Sequence, residues 1–297
     1  MKNHKNKKVL LIDGENILHQ SFHKFANLRS SDGKPSGAIF GFFKSLNMYL
    51  RRFDPDEVTI SFDNGHSPYR TCLLPNYKGH RKNISIDYES LQSQKKVILK
   101  ILKLLRVPYV YDEHKATNYE GDDLLAFLVL KVYNKDNNKI TLISSDKDFN
   151  QLLGKNLKIF NPRKEKIIYD KTCMKEFGYS PEETVDYLSL VGDSSDDIPG
   201  VKGMGPVKTR KFLDKYGSIN EALKQGCKEN IEDISEINKK LIDLRYFIDT
   251  YPLSEMPMVY VNKSINKDKF KKLCISYSLM SFLTIDFIKP FITLYNK

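Results

Sequence analysis

Three acids in four residues, Glu120, Asp122 and Asp123, flank Gly121 directly before the apolar run Leu124–Leu130. At the mouth of a helix each carboxylate gains about 0.3–1 kcal/mol from the backbone dipole. Crowding them raises their pKa values and makes joint ionisation costly. A bound cation would offset that cost. An acidic first turn with no further role explains one such cluster equally well, so the decision rests on the other acids. Asp13 ends the apolar run Val9–Ile12, Asp63 follows Val58–Phe62, and Asp146 and Asp148 follow Lys139–Ser144. Asp193 and Asp196 form a further cluster before a Gly-rich stretch. Turn chemistry favours Asp at strand ends, but not with this regularity. Oxygen ligands gathered without His or Cys select hard cations, Mg²⁺ or Mn²⁺.

Such acids need a scaffold that delivers them to one edge. Val9–Ile12, Val58–Phe62, Val107–Val110 and Lys139–Ser144 read as short buried strands alternating with helical segments at 36–53, 91–105 and 124–133. That alternation predicts an α/β fold with a parallel sheet, and open sheets of this kind bind ligands beyond the carboxyl ends of their strands. Between Gly65 and about Tyr88 the apolar periodicity fades, and Tyr69, Arg70, Tyr77, Lys78, His80, Arg81 and Lys82 predominate. A long insertion without its own core is typically functional. Aromatic residues interleaved with cations can stack bases and neutralise phosphates of a single strand; a solvated basic loop is the competing reading.

Leu157–Phe160 and Lys166–Tyr169 read as a small hairpin, and Pro181 opens a helix reaching Gly192. The following turn, Gly200-Val201-Lys202-Gly203-Met204-Gly205-Pro206, leads into Lys208, Thr209, Arg210 and Lys211. It offers backbone N–H groups and basic side chains to phosphates. Pro206-Val207 stands where a nucleotide-binding loop needs Lys-Ser/Thr, so ATP hydrolysis is not indicated. Helices are expected at 219–223 and 237–248, with a polar join at 252–257. Residues 273–292 read as packed C-terminal helices, because Asp286, Lys289 and Pro290 interrupt any membrane-spanning run.

The chain has 297 residues, 40% of them hydrophobic, enough for a large α/β domain with a smaller helical partner. A net charge of +11 around acidic clusters suggests a polyanion on the surface and metal in a cleft. Cys72, Cys173, Cys227 and Cys274 contain no C-x-x-C pair, which argues against zinc or a disulfide framework and suits a reducing compartment. No secretory signal follows the basic start. The expected location is the cytoplasm or an organelle matrix.

In order, Asp13-Gly, Asp63, Glu120-Gly-Asp122-Asp123, Asp146-Lys-Asp148 and Asp193-Ser-Ser-Asp196-Asp-Ile-Pro-Gly-Val-Lys-Gly-Met-Gly make the sequence resemble the 5′ nuclease, or flap endonuclease, family. The likeness is strongest to the 5′-nuclease domain of bacterial DNA polymerase I and its free-standing bacterial and phage relatives. It implies a PIN-like sheet flanked by helices over residues 9–178 after a basic tail at 1–8. A helical arch would span about 65–90, and a helical lobe over 179–297 would carry a helix-hairpin-helix at about 185–226. Asp13, Asp63, Glu120, Asp122 and Asp146 match the family's first metal site; Asp148, Asp193 and Asp196 match its second. Asp123 falls on the remaining acid of the motif and either ligates through water or holds the helix start. Lys78 and Arg81 match basic positions that stabilise the scissile phosphate. Arg70, Tyr77, Lys82, Gly200, Lys202, Gly203, Gly205, Lys208 and Thr209 complete the DNA-binding set, with K⁺ a further ion at the hairpin. Gln20, Asp197 and Val207 depart from frequent family residues.

The implied reaction is hydrolysis of phosphodiester bonds with two metal ions about 4 Å apart. Substrates would be 5′ flaps, nicks, 5′ ends or RNA primers, acted on by a monomer and leaving 5′-phosphates. Two other classes fit part of the pattern. One is a junction-binding protein without turnover, which the intact acid set disfavours. The other is a PIN-type ribonuclease, which the arch and hairpin disfavour.

Overall fold

The computed structural model describes residues 6–63, 65, 67–79, 87–112, 119–133, 137–227, 231–253, 256–259 and 265–294. Strands β1 (Lys8–Asp13), β2 (Glu57–Ser61), β3 (Tyr109–Val110), β4 (Lys139–Ile143), β5 (Leu157–Asn161), β6 (Lys166–Ile168) and β7 (Met258–Val259) form one sheet in the order β6-β5-β4-β1-β2-β3-β7. The central strands from β5 to β3 are parallel. The outer strands β6 and β7 run antiparallel to their neighbours.

Period-two alternation splits the sheet's side chains between two cores. Val9 and Leu11 of β1 face one core, and Leu10 and Ile12 face the other. The second core takes helices α1 (Gly14–Lys24) and α2 (Gly37–Phe53), whose Ile39, Phe42, Phe43, Leu46, Tyr49 and Leu50 form the buried stripe of a helix. Helix α3 (Pro68–Leu73) follows β2, and α4 (Tyr88–Leu104) returns to the second core through Leu91, Ile98, Ile101 and Leu102. Helix α5 (Gly121–Phe127) runs into a π-helical turn at Leu128–Tyr133 on the first core. Beyond β6 lie α6 (Asp170–Phe177), α7 (Thr184–Val191), α8 (Pro206–Tyr216), α9 (Ile219–Lys224), α10 (Glu232–Ile242) and α11 (Leu244–Thr250). The chain closes with α12 (Lys267–Ser276) and α13 (Ile285–Thr293).

Three sequence expectations change. The helix expected over 237–248 is two helices, because the Asp243 carboxylate caps α11 by accepting the N–H groups of Arg245 and Tyr246. The join near residue 257 leads into β7, which pairs with β3. The final segment does not stay with the helical lobe: Phe270, Cys274, Leu279, Phe282 and Phe291 bury themselves against the core of α2 and α4. Burying that many apolar side chains at about 1.5–3 kcal/mol each outweighs any local preference. No described helix is long and apolar enough to cross a membrane.

Candidate active site

Strand register assembles the acids. Ile12 of β1 pairs with Ile60 of β2 and Ile143 of β4, so the three strands end at one level. Asp13, Asp63 and Asp146 therefore leave adjacent carboxyl ends of the sheet. Asp13 is 8% exposed; it accepts the Asn16 N–H at 2.9 Å, capping α1, and the Ser144 hydroxyl at 2.7 Å. Burial, followed by repulsion from Asp63 and Asp146, lifts its carboxyl to about 7 against the favourable hydrogen bonds. Asp63 accepts the Gly121 N–H, which locks the start of α5 onto the end of β2. Gly121 is required there: a Cβ would lie 2.6 Å from Asp63 Oδ1 and 3.1 Å from Ser61 Oγ.

Helix α5 delivers Glu120 and Asp122. Glu120 accepts the Ser67 N–H at 2.9 Å, the Tyr77 hydroxyl at 3.1 Å and the Lys78 ammonium at 2.8 Å. Burial opposes its charge, but Lys78 and then Arg70 override it and hold the carboxyl at about 2. Among the described residues Asp122 has no such partner. Burial and the charges of Asp13, Asp146 and Asp63 push it well above the carboxylate range.

The second group stands beside the first. Asp146 accepts the Asp148 N–H at 2.9 Å, and burial followed by Asp196 raises its pKa. Asp148 is raised further by burial and then Asp146, and its Oδ1 is buried without a hydrogen-bond partner. Asp193 accepts the Ser195 N–H at 2.7 Å and lies 3.5 Å from the Lys147 ammonium. Asp196 joins the two groups, accepting the Tyr77 hydroxyl at 3.3 Å with Lys78 Nζ 3.8 Å away.

Several residues take other positions than their sequence roles suggest. Asp123 is fully buried, and both its oxygens accept the Arg70 guanidinium at 2.7 Å while one also takes the Glu120 N–H at 2.8 Å. Its oxygens hold the helix start, the second of the two roles its sequence position allowed. Arg70 is 3% exposed, donates to the Leu241 carbonyl at 3.2 Å and lies 4.8 Å from the Phe247 ring. Tyr77 and Lys78, 5% and 4% exposed, are wedged among the acids. Neither Arg70 nor Tyr77 faces outward to meet DNA, and the described part of the insertion, residues 67–79, is anchored among the acids. Thr209 is fully buried with its hydroxyl on the Met204 carbonyl at 3.0 Å. Gly200 packs so tightly that a Cβ would lie 2.2 Å from the Val191 carbonyl. Both therefore shape the hairpin rather than expose a contact. Lys202, Gly203, Gly205 and Lys208 are exposed there. Arg81 and Lys82 lie outside the described residues.

Sequence reading missed Glu15 and Lys95. Lys95 is 4% exposed; its ammonium contacts Glu15 Oε1 and donates to the Asp63 carbonyl at 2.6 Å. The available signal was a second acid two residues after Asp13.

Oxygen-only donors, mutually repelling carboxyls and the orphaned Asp148 Oδ1 suit divalent cations. Among the described residues no three such side chains are gathered closely enough to hold an ion, so the fit lies in donor type and charge.

Comparison with known proteins follows the same division of the chain. Residues 8–178 match the family model of the 5′-3′ exonuclease N-terminal resolvase-like domain, and residues 179–254 match that of the 5′-3′ exonuclease C-terminal SAM fold. A 5′-3′ exonuclease from Aquifex aeolicus is 32% identical over 272 residues, 89% of this chain and 91% of that protein. The thermostable DNA polymerase I of Thermus aquaticus is 33% identical over 217 residues, 73% of this chain but 25% of the polymerase. The bacteriophage T5 flap endonuclease, solved as a pseudo-enzyme-product complex with DNA and metal ions, superposes with a TM-score of 0.68 at 18% identity, covering 98% of this chain and 100% of that one.

Proposed function

This chain belongs to the 5′-3′ exonuclease family, and on that premise we propose that its acidic cleft hydrolyses DNA phosphodiester bonds at 5′ ends and at 5′ flaps, using two Mg²⁺ or Mn²⁺ ions. The observation that carries this reading is the convergence of Asp13, Asp63 and Asp146, from adjacent parallel strand ends, upon Asp122 at the start of α5. Asp13, Asp63, Glu120, Asp122 and Asp146 would hold one ion, and Asp148, Asp193 and Asp196 the other. When bound, such ions lower the pKa of an attacking water and stabilise the leaving oxygen.

The remaining residues orient and balance this set. Ser144 and Asn16 hold Asp13 in its rotamer, and Gly121 fixes Asp63. Burial works against the Lys78 ammonium, but Glu120, then Tyr77 and Asp196, hold its pKa well above the ordinary lysine value, so it stays charged. That charge is placed to meet the scissile phosphate. Lys202 and Lys208, with the open backbone at Gly203 and Gly205, would hold duplex phosphates, and K⁺ is a candidate ion there. The catalytic unit then comprises residues 9–178 and the hairpin region residues 185–226.

A labelled 5′ flap, cut by the purified protein in Mg²⁺ and left intact in EDTA, tests the reading. Asp146→Asn should abolish cutting while leaving flap binding in place. Full activity in EDTA would overturn it, and preference for single-stranded RNA over flap DNA would redirect it to a ribonuclease.

A further inference from the structure

Glu15 and Lys95 grip one residue of the cleft from behind. Glu15 stands in the first turn of α1, and Lys95 projects from the buried face of α4 between Leu91 and Ile98. The Lys95 ammonium contacts Glu15 Oε1 and donates to the Asp63 carbonyl at 2.6 Å. Glu15 Oε1 accepts the Asp63 N–H at 3.3 Å. Both peptide groups of Asp63, which lies beyond the last paired residue of β2, thus close on a single ion pair. The lysine is further enclosed by the Phe62 and Tyr111 rings, 5.6 and 5.2 Å from its nitrogen.

An unpaired peptide group past a strand end needs partners, but neutral side chains or water would serve. A buried ammonium paired with a largely enclosed carboxylate is an expensive alternative, since the lysine alone loses several kcal/mol of hydration. Their placement has a property that neutral partners lack. The cation fixes the carbonyl of a residue whose side chain stands among other carboxylates, and the anion fixes that residue's N–H. Asp63 can then rotate only at its side chain, which Gly121 orients.

We propose that the Glu15–Lys95 pair is a positioning device that presets Asp63 for a divalent cation. The inference rests on the assignment of Asp63 to the metal set. Mn²⁺ binding to the DNA-free protein, read by electron paramagnetic resonance of the free ion, separates the two. Lys95→Met should weaken Mn²⁺ affinity about tenfold, as loss of groups behind a metal ligand does, with flap binding in EDTA unchanged. Lys95→Arg should restore most of the loss. Because Lys95→Met leaves the partly exposed Glu15 with only His19 nearby, at 3.9 Å, the double variant Glu15→Gln/Lys95→Met keeps the test sound: it should regain thermal stability and still bind Mn²⁺ weakly. Wild-type Mn²⁺ affinity in the double variant would mean that the pair is only structural and would overturn the proposal. Wild-type affinity in Asp63→Asn would instead overturn the assignment of Asp63.

Discussion

Asp123→Asn separates a carboxylate that holds the protein together from those proposed to hold metal. In the native cleft Asp123 receives the Arg70 guanidinium through two bonds of 2.7 Å, and the side chains are 0% and 4% exposed. The amide is the same size and keeps one acceptor, but turns an N–H₂ toward a guanidinium that can only donate. Arg70 then keeps only the looser ion pair with Glu120 at 3.7 Å, beside the Leu241 carbonyl and the Phe247 ring, in place of its two-bond partner. Removing one partner of a buried pair costs about 3–5 kcal/mol. At about 2–4 °C per kcal/mol, melting should fall by on the order of 10 °C. Thermal melts in EDTA read that loss, and Mn²⁺ titration well below either melting point reads the metal site. The expected result is a large drop in melting temperature with Mn²⁺ affinity retained, opposite to the pattern for Asp146→Asn. Arg70→Met/Asp123→Leu, which removes both charges, should recover part of the stability. Loss of Mn²⁺ affinity in Asp123→Asn at unchanged stability would refute the reasoning and return Asp123 to the metal set.

Gly121→Ala drives a methyl group to within 2.6 Å of Asp63 Oδ1; it should cost about 1–3 kcal/mol and cut flap cleavage by about tenfold or more in a steady-state assay. Glu183 accepts the Arg210 guanidinium through bonds of 2.8 and 2.7 Å, which tie α7 to α8 and hold its carboxyl below the ordinary glutamate value. A lowered folded-state pKa supplies stability above the ordinary glutamate range and loses it as pH falls through the folded value. Glu183→Gln should therefore be less stable at neutral pH by about 1 kcal/mol, given partial exposure, and the difference in denaturation midpoint should close in acid. Lys202→Gln/Lys208→Gln should weaken duplex binding alike for all sequences and reduce the slope of log K against log salt by about 2; an unchanged slope would remove these lysines from the interface.

The sequence shows the cleft's acids and hides what restrains them. Asp13, Asp63 and Asp146 are legible because each ends an apolar run, and parallel register then forces them together whatever the loops do. Arg70 is not legible: its partner Asp123 is 53 residues away, and a basic residue in an aperiodic stretch reads as solvated or DNA-facing. Lys95 is hidden for a related reason, since lysine is rarely buried unless paired, and its pairing with Glu15 spans 80 residues. The return of α12 and α13 to the sheet is illegible because amphipathic periodicity shows that a helix has a buried face but not which core receives it. Gly200 and Thr209 carry a real hairpin signal, yet only burial tells a residue that shapes a turn from one that faces a phosphate.

The cations of the cleft divide by chemistry. Arg70 presents a rigid fork to one carboxylate and stacks on Phe247, which makes it a fixed strut. Lys95 is also committed, closed between Glu15 and a carbonyl under two aromatic rings. Lys78 differs. Its single charge is divided between Glu120 at 2.8 Å and Asp196 at 3.8 Å, one from each acid group, while its N–H holds the Asp196 carbonyl at 3.0 Å from a left-handed backbone conformation. The main chain fixes where the lysine starts, and the flexible stem leaves its ammonium free to exchange acceptors as a point charge. Under the proposed function, a phosphate entering the cleft would compete with Glu120 for that ammonium, and Glu120, still oriented by the Ser67 N–H and Tyr77, would then have an oxygen to offer a cation. A guanidinium at residue 78 would hold both acids too firmly for that exchange, so the distribution of Arg and Lys follows from which carboxylates must stay bound and which must let go.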